Sequence, residues 1–217
     1  MYLCIFIDNF VKFICTFDIR TFFSLNIKNS SLIEKISGIQ EKLKLDLKQY
    51  DIRWEQPSKF HLTLRFLGSI EDKTVQTLIE EAEKYDFGFS KIIFETKGIG
   101  FFPSQKFPNV VFLELTEKEE NSQKLAELIE RTVKKLGFDR VKRFTPHVTL
   151  GRFRKGKRKK IENIPEVSSD GFNIEMDSFC LMKSMMSNKG SEYFLIKKFF
   201  FNKAQSQISS GFPLSRE

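Results

Sequence analysis

The chain has 217 residues, a formal net charge of +8 at pH 7, 41% hydrophobic residues and 29% charged residues. This length can bury a substantial core, and no run of about 18 apolar residues predicts a membrane span. The three cysteines are odd in number and lack CxxC spacing, which argues against a disulfide framework or a zinc site and favours reduced thiols in a cytoplasmic protein. A pI near 9.3 predicts an anionic partner.

The segment MYLCIFIDNFVKFICT at the start is apolar, but Asp8, Asn9 and Lys12 interrupt it. No basic segment leads it and no small-residue cleavage site follows, so a secretory signal is not favoured. We expect residues 1–19 to be an N-terminal extension, residues 20–202 to form a single two-lobed domain, and the polar residues 203–217 to be a tail.

Apolar periodicity predicts a buried strand over Arg20–Ile27. A helix should follow, because Ser31 and Glu34 have the spacing of a capping box and the residues after them recur at helical intervals. A short strand is predicted over Ile52–Glu55, and Pro57 then breaks the chain.

The next strand is predicted from His61 and is followed by a helix with Asp72 as its N-cap. Two further strands are predicted over Lys91–Thr96 and Val110–Leu115, separated by the Gly- and Pro-rich segment Gly98–Pro108.

A third helix is predicted from about Glu119, with Leu136 as the last residue of its buried stripe and Gly137 as its stop. After a strand that begins at a second histidine, a final pair of strands is predicted over Phe172–Ser184 and Glu192–Phe201. The order of elements is similar in the two halves of the chain, which predicts two α+β lobes that share a cleft.

The two histidines stand at the head of similar phrases, HLTLRFLG from His61 and HVTLGRF from His147. Strand alternation places His61, Thr63 and Arg65 on one face and the leucines between them on the core face. A lone histidine on a strand is more often a satisfied, half-buried residue. Two histidines in the same local context favour a shared function.

His147 and Thr149 likewise share a face. Arg152 lies five residues after His147, so a regular strand would turn it toward the core. A bulge at Gly151 would re-aim Arg152, or the strand would end there, and the sequence leaves both alternatives open.

Paired imidazoles suit proton transfer, because one can act as a base while its protonated partner acts as an acid. The sequence has no HxH, HExxH or Cys/His cluster and no GxSxG, so neither a metal site nor a serine nucleophile is indicated. A cyclic phosphodiester fits this chemistry. Hydroxyls of Thr63 and Thr149, with Arg65 or Arg152, would hold the phosphate oxygens.

These phrases resemble those of the two-histidine phosphoesterase superfamily, and most closely the RNA 2′,3′-cyclic phosphodiesterases once named 2′-5′ RNA ligases. The resemblance extends from Arg20 to about Phe201 and includes the flanking stretches RTFFSLNI and GIGFFPS. It implies an α+β fold of two pseudo-symmetric lobes, each with an antiparallel sheet, around a central groove. It also implies hydrolysis of an RNA 2′,3′-cyclic phosphate to a 2′-phosphomonoester without a metal or cofactor, with His61 as proton donor and His147 as proton acceptor.

Two sets of residues are candidates for RNA contact outside the histidine motifs. The segment RFRKGKRKK is strongly basic, and Trp54 and Phe102 could stack on a base, as could Phe101. The candidates in the basic segment are Arg154, Lys155, Lys157 and Arg158.

Two other functions remain open from the sequence: RNA ligation, which is the reverse reaction, and a noncatalytic RNA-binding module that depends on the basic segment. The expected partner in each case is RNA, and the chain is expected to be a monomer.

Overall fold

The computed structural model describes residues 4–7, 10–13, 19–141, 143–154, 160–163, 171–187 and 190–202. Within these ranges, no helix is long and apolar enough to cross a membrane. The helices are α1 (Ser30–Asp46), α2 (Asp72–Glu83) and α3 (Asn121–Lys135). The strands are β1 (Cys4–Ile7), β2 (Phe10–Phe13), β3 (Ile19–Asn26), β4 (Ile52–Trp54), β5 (His61–Ile70), β6 (Ile92–Phe102), β7 (Val110–Glu117), β8 (His147–Phe153), β9 (Asn173–Met176), β10 (Ser178–Ser187) and β11 (Gly190–Phe200).

The strands after β2 form two antiparallel sheets, while β1 and β2 pair with each other in a separate hairpin. The four-stranded sheet has the order β11-β10-β3-β5, and the five-stranded sheet has the order β4-β8-β7-β6-β9. The two strands that begin with a histidine, β5 and β8, belong to different sheets and approach each other. The predicted α+β class with two antiparallel sheets is confirmed.

The helices pack against the strands and, in the case of α2 and α3, against each other. The hydroxyl of Tyr85, just after α2, donates to Thr132 Oγ1 of α3 at 2.8 Å, and α3 packs against β5. Buried side chains from both sheets join one hydrophobic core, which includes the residues that follow each histidine, Leu62 and Val148. Because both motif strands are anchored in this shared core, their histidines are held on a common support.

The helix ends differ slightly from the predicted ones. Asn29, rather than Ser31, caps α1, and its Oδ1 accepts a hydrogen bond from Leu32 N at 3.1 Å. Asp72 is the first residue of α2 rather than its cap. Leu136 was predicted to be buried but is exposed because α3 ends at Lys135, and Gly137 follows with a φ of 85°, as a helix stop requires.

Two strands have bounds that the sequence did not indicate. β6 continues through the predicted loop as far as Phe102, because Gly100 leaves space for the ring of Phe112 where a Cβ would overlap it. The segment Phe172–Ser184, predicted as one strand, divides at Asp177 into β9 and β10. The two strands belong to different sheets, so this segment carries the chain from one sheet to the other.

Candidate active site

Both histidine strands contain the same irregularity three residues after the histidine. In β5, Thr63 and Arg65 pair with consecutive residues of β3, so Leu64 is the extra residue of a bulge. In β8, an equivalent bulge falls at Leu150. A bulge reverses the alternation of the side chains that follow it, and in each strand the reversal comes directly after the His-x-Thr group.

The bulge in β5 directs Arg65 away from the face that carries the histidine. Arg65 is buried at 7% exposure, and it donates to the carbonyl oxygens of Phe66 at 2.7 Å and Asp139 at 2.5 Å. Its Nε also forms an ion pair with Glu130 Oε1 of α3 at 2.5 Å. The prediction that Arg65 shares a face with His61 is therefore wrong, because it assumed a regular strand, and the buried guanidinium gives no support to the predicted phosphate contact.

The bulge in β8 has the opposite consequence for Arg152. It turns this side chain outward, where Arg152 is exposed and pairs through Nε with Glu55 Oε1 at 3.3 Å. Gly151 is buried at the position that corresponds to Arg65, and a Cβ there would lie 2.7 Å from Ile52 Cγ2. The sequence left open whether the strand has a bulge at Gly151 or ends there. The strand continues and has a bulge, which lies one residue earlier, at Leu150.

The two imidazoles are anchored in the same way. His61 Nδ1 lies 2.7 Å from the carbonyl oxygen of Lys59, and His147 Nδ1 lies 2.8 Å from that of Thr145. A carbonyl oxygen only accepts, so Nδ1 carries the proton in both rings and Nε2 is the nitrogen left for chemistry. His61 Nε2 lies 3.1 Å from Thr63 Oγ1, which places a hydroxyl beside the reactive nitrogen.

The pKa values of both histidines are lowered from the ordinary value of 6.5. Burial is the main cause in each case, and the positive charge of Arg152 contributes to both shifts. The pKa of His61 is also lowered by His147 and is raised by the carboxylate of Glu55. The two imidazoles therefore lie within electrostatic range of each other and of the same arginine.

Each imidazole also packs against two aromatic rings, which accounts for much of its burial. Phe102 was predicted to be near the groove and lies against His147, whereas its neighbour Phe101 points into the core. The ring centroids lie 5.4 Å (Phe22) and 5.2 Å (Tyr193) from His61, and 5.0 Å (Phe102) and 5.2 Å (Phe112) from His147.

The other predicted contact residues lie farther from the imidazoles. Trp54 lies opposite Gly151 in the register of β4 and β8. Its side chain packs partly against the core and also lines the groove. Arg154 follows β8 and forms an ion pair with Asp51 at 3.3 Å. Lys155, Lys157 and Arg158 lie outside the described residues.

Residues that the sequence did not single out complete the site. Glu55 pairs with Arg152 across 97 positions of sequence, and no local pattern reports such a contact. Gln40 of α1 is buried and donates from Nε2 to the carbonyl oxygens of Glu55 and Leu150, both at 2.9 Å. In the sequence, the position of Gln40 next to the apolar stripe of the predicted helix indicates a buried polar side chain that needs hydrogen-bond partners, but it does not identify them. In the part of the chain that the structure describes, no three His, Cys, Asp or Glu side chains form a cluster suited to a metal ion.

Comparison with known proteins gives consistent matches. The model of the LigT-like phosphoesterase family matches residues 27–112 and 114–193. An RNA 2′,3′-cyclic phosphodiesterase of Archaeoglobus fulgidus is 32% identical over 161 residues, which are 72% of this chain and 90% of that protein. A protein of the same name from Thermotoga maritima is 27% identical over 174 residues, which are 80% of this chain and 91% of that protein.

Solved structures share the fold. TT0787 of Thermus thermophilus superposes with a TM-score of 0.71 at 23% identity, covering 84% of this chain and 98% of that one. The apo form of E. coli LigT superposes with a TM-score of 0.70 at 20% identity, covering 85% of this chain and 98% of that one.

Proposed function

The chain belongs to the LigT-like phosphoesterase family, and from this membership and the geometry of its paired histidines we propose that it hydrolyses RNA 2′,3′-cyclic phosphate ends to 2′-phosphomonoesters. The observation that carries the proposal is the matched anchoring of the two imidazoles. Each presents an unprotonated Nε2, in its neutral form, from the start of a strand in a different sheet.

The reaction requires one proton to leave a water molecule and another to reach the departing ribose oxygen. His147, in its neutral form, accepts the proton from water at Nε2 while the water oxygen forms a bond to phosphorus. His61, in its protonated form, donates from Nε2 to the 3′ oxygen as the P–O3′ bond breaks. The products are a 2′-phosphomonoester and a 3′ hydroxyl, and exchange with solvent returns both imidazoles to their starting states.

The remaining groups stabilise the charge that develops on the phosphate. Thr63 and Thr149 follow their histidines by two residues on the same strand face, so their hydroxyls are positioned to donate to the equatorial oxygens. Of the two arginines predicted to supply positive charge, Arg152 is the one on the groove side, and its charge acts on both imidazoles. The two hydroxyls and the guanidinium together would stabilise the charge on phosphorus, and the proposed mechanism assigns no step to a metal ion.

The test uses a synthetic RNA with a 2′,3′-cyclic phosphate end, and phosphorus NMR identifies the product. We expect a 2′-phosphomonoester, with turnover unaffected by EDTA. His61→Asn and His147→Asn should each lower kcat by at least about 100-fold. Asparagine can still donate to the carbonyl oxygens of Lys59 and Thr145, so the variants should stay folded.

Full turnover in His147→Asn would disprove the acid–base assignment. A 3′-phosphomonoester would show that the other P–O bond breaks, and loss of activity in EDTA would show that a metal ion participates. Incubation of the same RNA with a 5′-hydroxyl acceptor measures ligation in the same experiment. Salt-sensitive binding without any hydrolysis would favour a noncatalytic RNA-binding module instead.

A further inference from the structure

The groove continues beyond the histidines into a pocket of about 640 Å³ between β4, β8 and the β10–β11 hairpin. The pocket adjoins the catalytic pair, because Tyr193 lines it and also packs 5.2 Å from the ring of His61. Arg152 lines it as well. Its volume lies in the range that small ligands occupy in proteins.

The charge of this pocket is unbalanced. Among its described lining residues four are cationic and only Glu55 is acidic. Glu55 already pairs with Arg152, and the side chain of Lys59 donates to the carbonyl oxygen of Ser191 at 3.0 Å. The four cations are Arg20, Arg53, Lys59 and Arg152. The proposed function assigns Arg152 to the cyclic phosphate, and Lys59 already has a carbonyl partner, so Arg20 and Arg53 remain for a second anion.

An aromatic ring is also exposed in the pocket. The bulge in β5 turns Phe66 to the groove side, at the position that corresponds to Arg152 in β8, and the ring is 42% exposed. Its ring stacks on Phe22 with a centroid distance of 5.2 Å, and the guanidinium of Arg20 lies 5.8 Å from its centroid. An exposed ring beside cations is the arrangement with which proteins bind the bases and phosphates of single-stranded RNA.

We propose that this pocket binds the nucleotide on the 5′ side of the cyclic end, with Arg53 on the linking phosphodiester and Phe66 against the base. The preferred substrate is then an oligonucleotide rather than a free nucleoside 2′,3′-cyclic phosphate. Arg53 is assigned to the linking phosphate because it is exposed and lies opposite Arg152 in the β4–β8 register, so the two residues are neighbours on the same face of the sheet. This inference rests on the proposed function.

The experiment compares kcat/KM for adenosine 2′,3′-cyclic phosphate with that for the dinucleotide ApA bearing the same cyclic end. A third substrate carries an uncharged methylphosphonate at the linkage. We expect the wild-type protein to favour the charged dinucleotide by about tenfold or more, as one charge-assisted contact allows. The preference should weaken with added salt, with a slope of about −0.7 in log–log form for one phosphate.

In Arg53→Gln, kcat/KM for the charged dinucleotide should fall to about the value for the methylphosphonate dinucleotide. The value for the methylphosphonate dinucleotide itself should change little. Phe66→Leu, which keeps an apolar side chain without the aromatic face, should reduce the preference for both dinucleotides. The matched control Lys84→Gln removes one positive charge at the end of α2, outside the pocket, and should leave the preference intact. Thermal melting confirms that each variant is folded.

Equal kcat/KM for the mononucleotide and the charged dinucleotide in the wild-type protein would overturn the inference and leave the proposed function standing. An unchanged preference in Arg53→Gln would also overturn it. Hydrolysis of none of the three substrates would overturn the proposed function, and the inference with it.

Discussion

Gln40 offers a sensitive test of how the fold positions its catalytic strand. Its amide group joins the carbonyl oxygens of Glu55, after β4, and of Leu150, the bulge residue of β8. The bulge is the feature that directs Arg152 into the groove. We therefore expect Gln40 to act as a positioning residue, and Gln40→Leu removes its hydrogen bonds while keeping a side chain of similar size.

The magnitude follows from what each carbonyl oxygen retains. The oxygen of Leu150 keeps its hydrogen bond from Glu55 N at 2.9 Å, whereas the oxygen of Glu55 loses the donor described for it. One buried carbonyl without a partner costs about 1–3 kcal/mol. For a protein of this size, that corresponds to a fall in Tm of roughly 2–12 °C. A displacement of Arg152 by about 1 Å would lower turnover by up to about 100-fold.

The assay combines thermal melting with the pH profile of kcat/KM, measured well below the Tm. Because Arg152 lowers the pKa of both imidazoles, moving it away should shift the profile of Gln40→Leu to higher pH. Gln76→Leu, an exposed change of the same type on α2, is the matched control and should alter neither quantity. A variant that melts early but keeps the wild-type pH profile would refute the positioning role and leave Gln40 a purely structural residue.

Three further predictions concern the charged residues around the histidines and the buried ion pair of Arg65. Arg152→Gln should shift the pH profile of kcat/KM to higher pH, and Glu55→Gln should shift its alkaline limb to lower pH, since the two groups act on the pKa of His61 in opposite directions. Shifts of both variants in the same direction would contradict the assignment of His61 as the titrating acid. Burial lowers both histidine pKa values below 6.5, so between those values and about 6.5 the folded protein binds fewer protons than the unfolded chain. The free energy of unfolding, measured in urea, should therefore fall as the pH decreases through that window. The double variant His61→Asn, His147→Asn should lose less stability over the same range. Arg65→Met should lower the free energy of unfolding by roughly 2–4 kcal/mol in the same urea assay, because it leaves the carboxylate of Glu130 without its partner. Adding Glu130→Gln to this variant should recover part of the loss.

The sequence predicted the parts of the site that depend on local order. Both His-x-Thr groups lie on strands with the faces that alternation requires, and the prediction of two antiparallel sheets is confirmed. The bulge in β5 was not predicted, and the one considered in β8 was placed at Gly151, because Leu64 and Leu150 are apolar and fit a regular strand as well as a bulged one. A single extra residue in each strand turns Arg65 inward and Arg152 outward, the reverse of what a regular strand would give.

Long-range relations account for the other differences. The polar residues Asp177 and Ser178 interrupt the apolar pattern between β9 and β10, but such an interruption does not indicate a change of sheet, which depends on tertiary packing. The partners of Glu55 and Gln40 are set by the approach of β4 and α1 to β8, and neither contact leaves a periodic signal in the sequence. The candidate histidines could therefore be found from the chain itself, but the charges that tune them could not.

The two equivalent bulges end in unlike residues, a guanidinium at Arg152 and an aromatic ring at Phe66. A perfectly twofold catalytic centre would accept a phosphate diester equally well in either direction, and half of those encounters would be unproductive. On the proposed function, this mismatch distinguishes the two directions, and we expect it to set the polarity of a bound RNA strand before any proton moves.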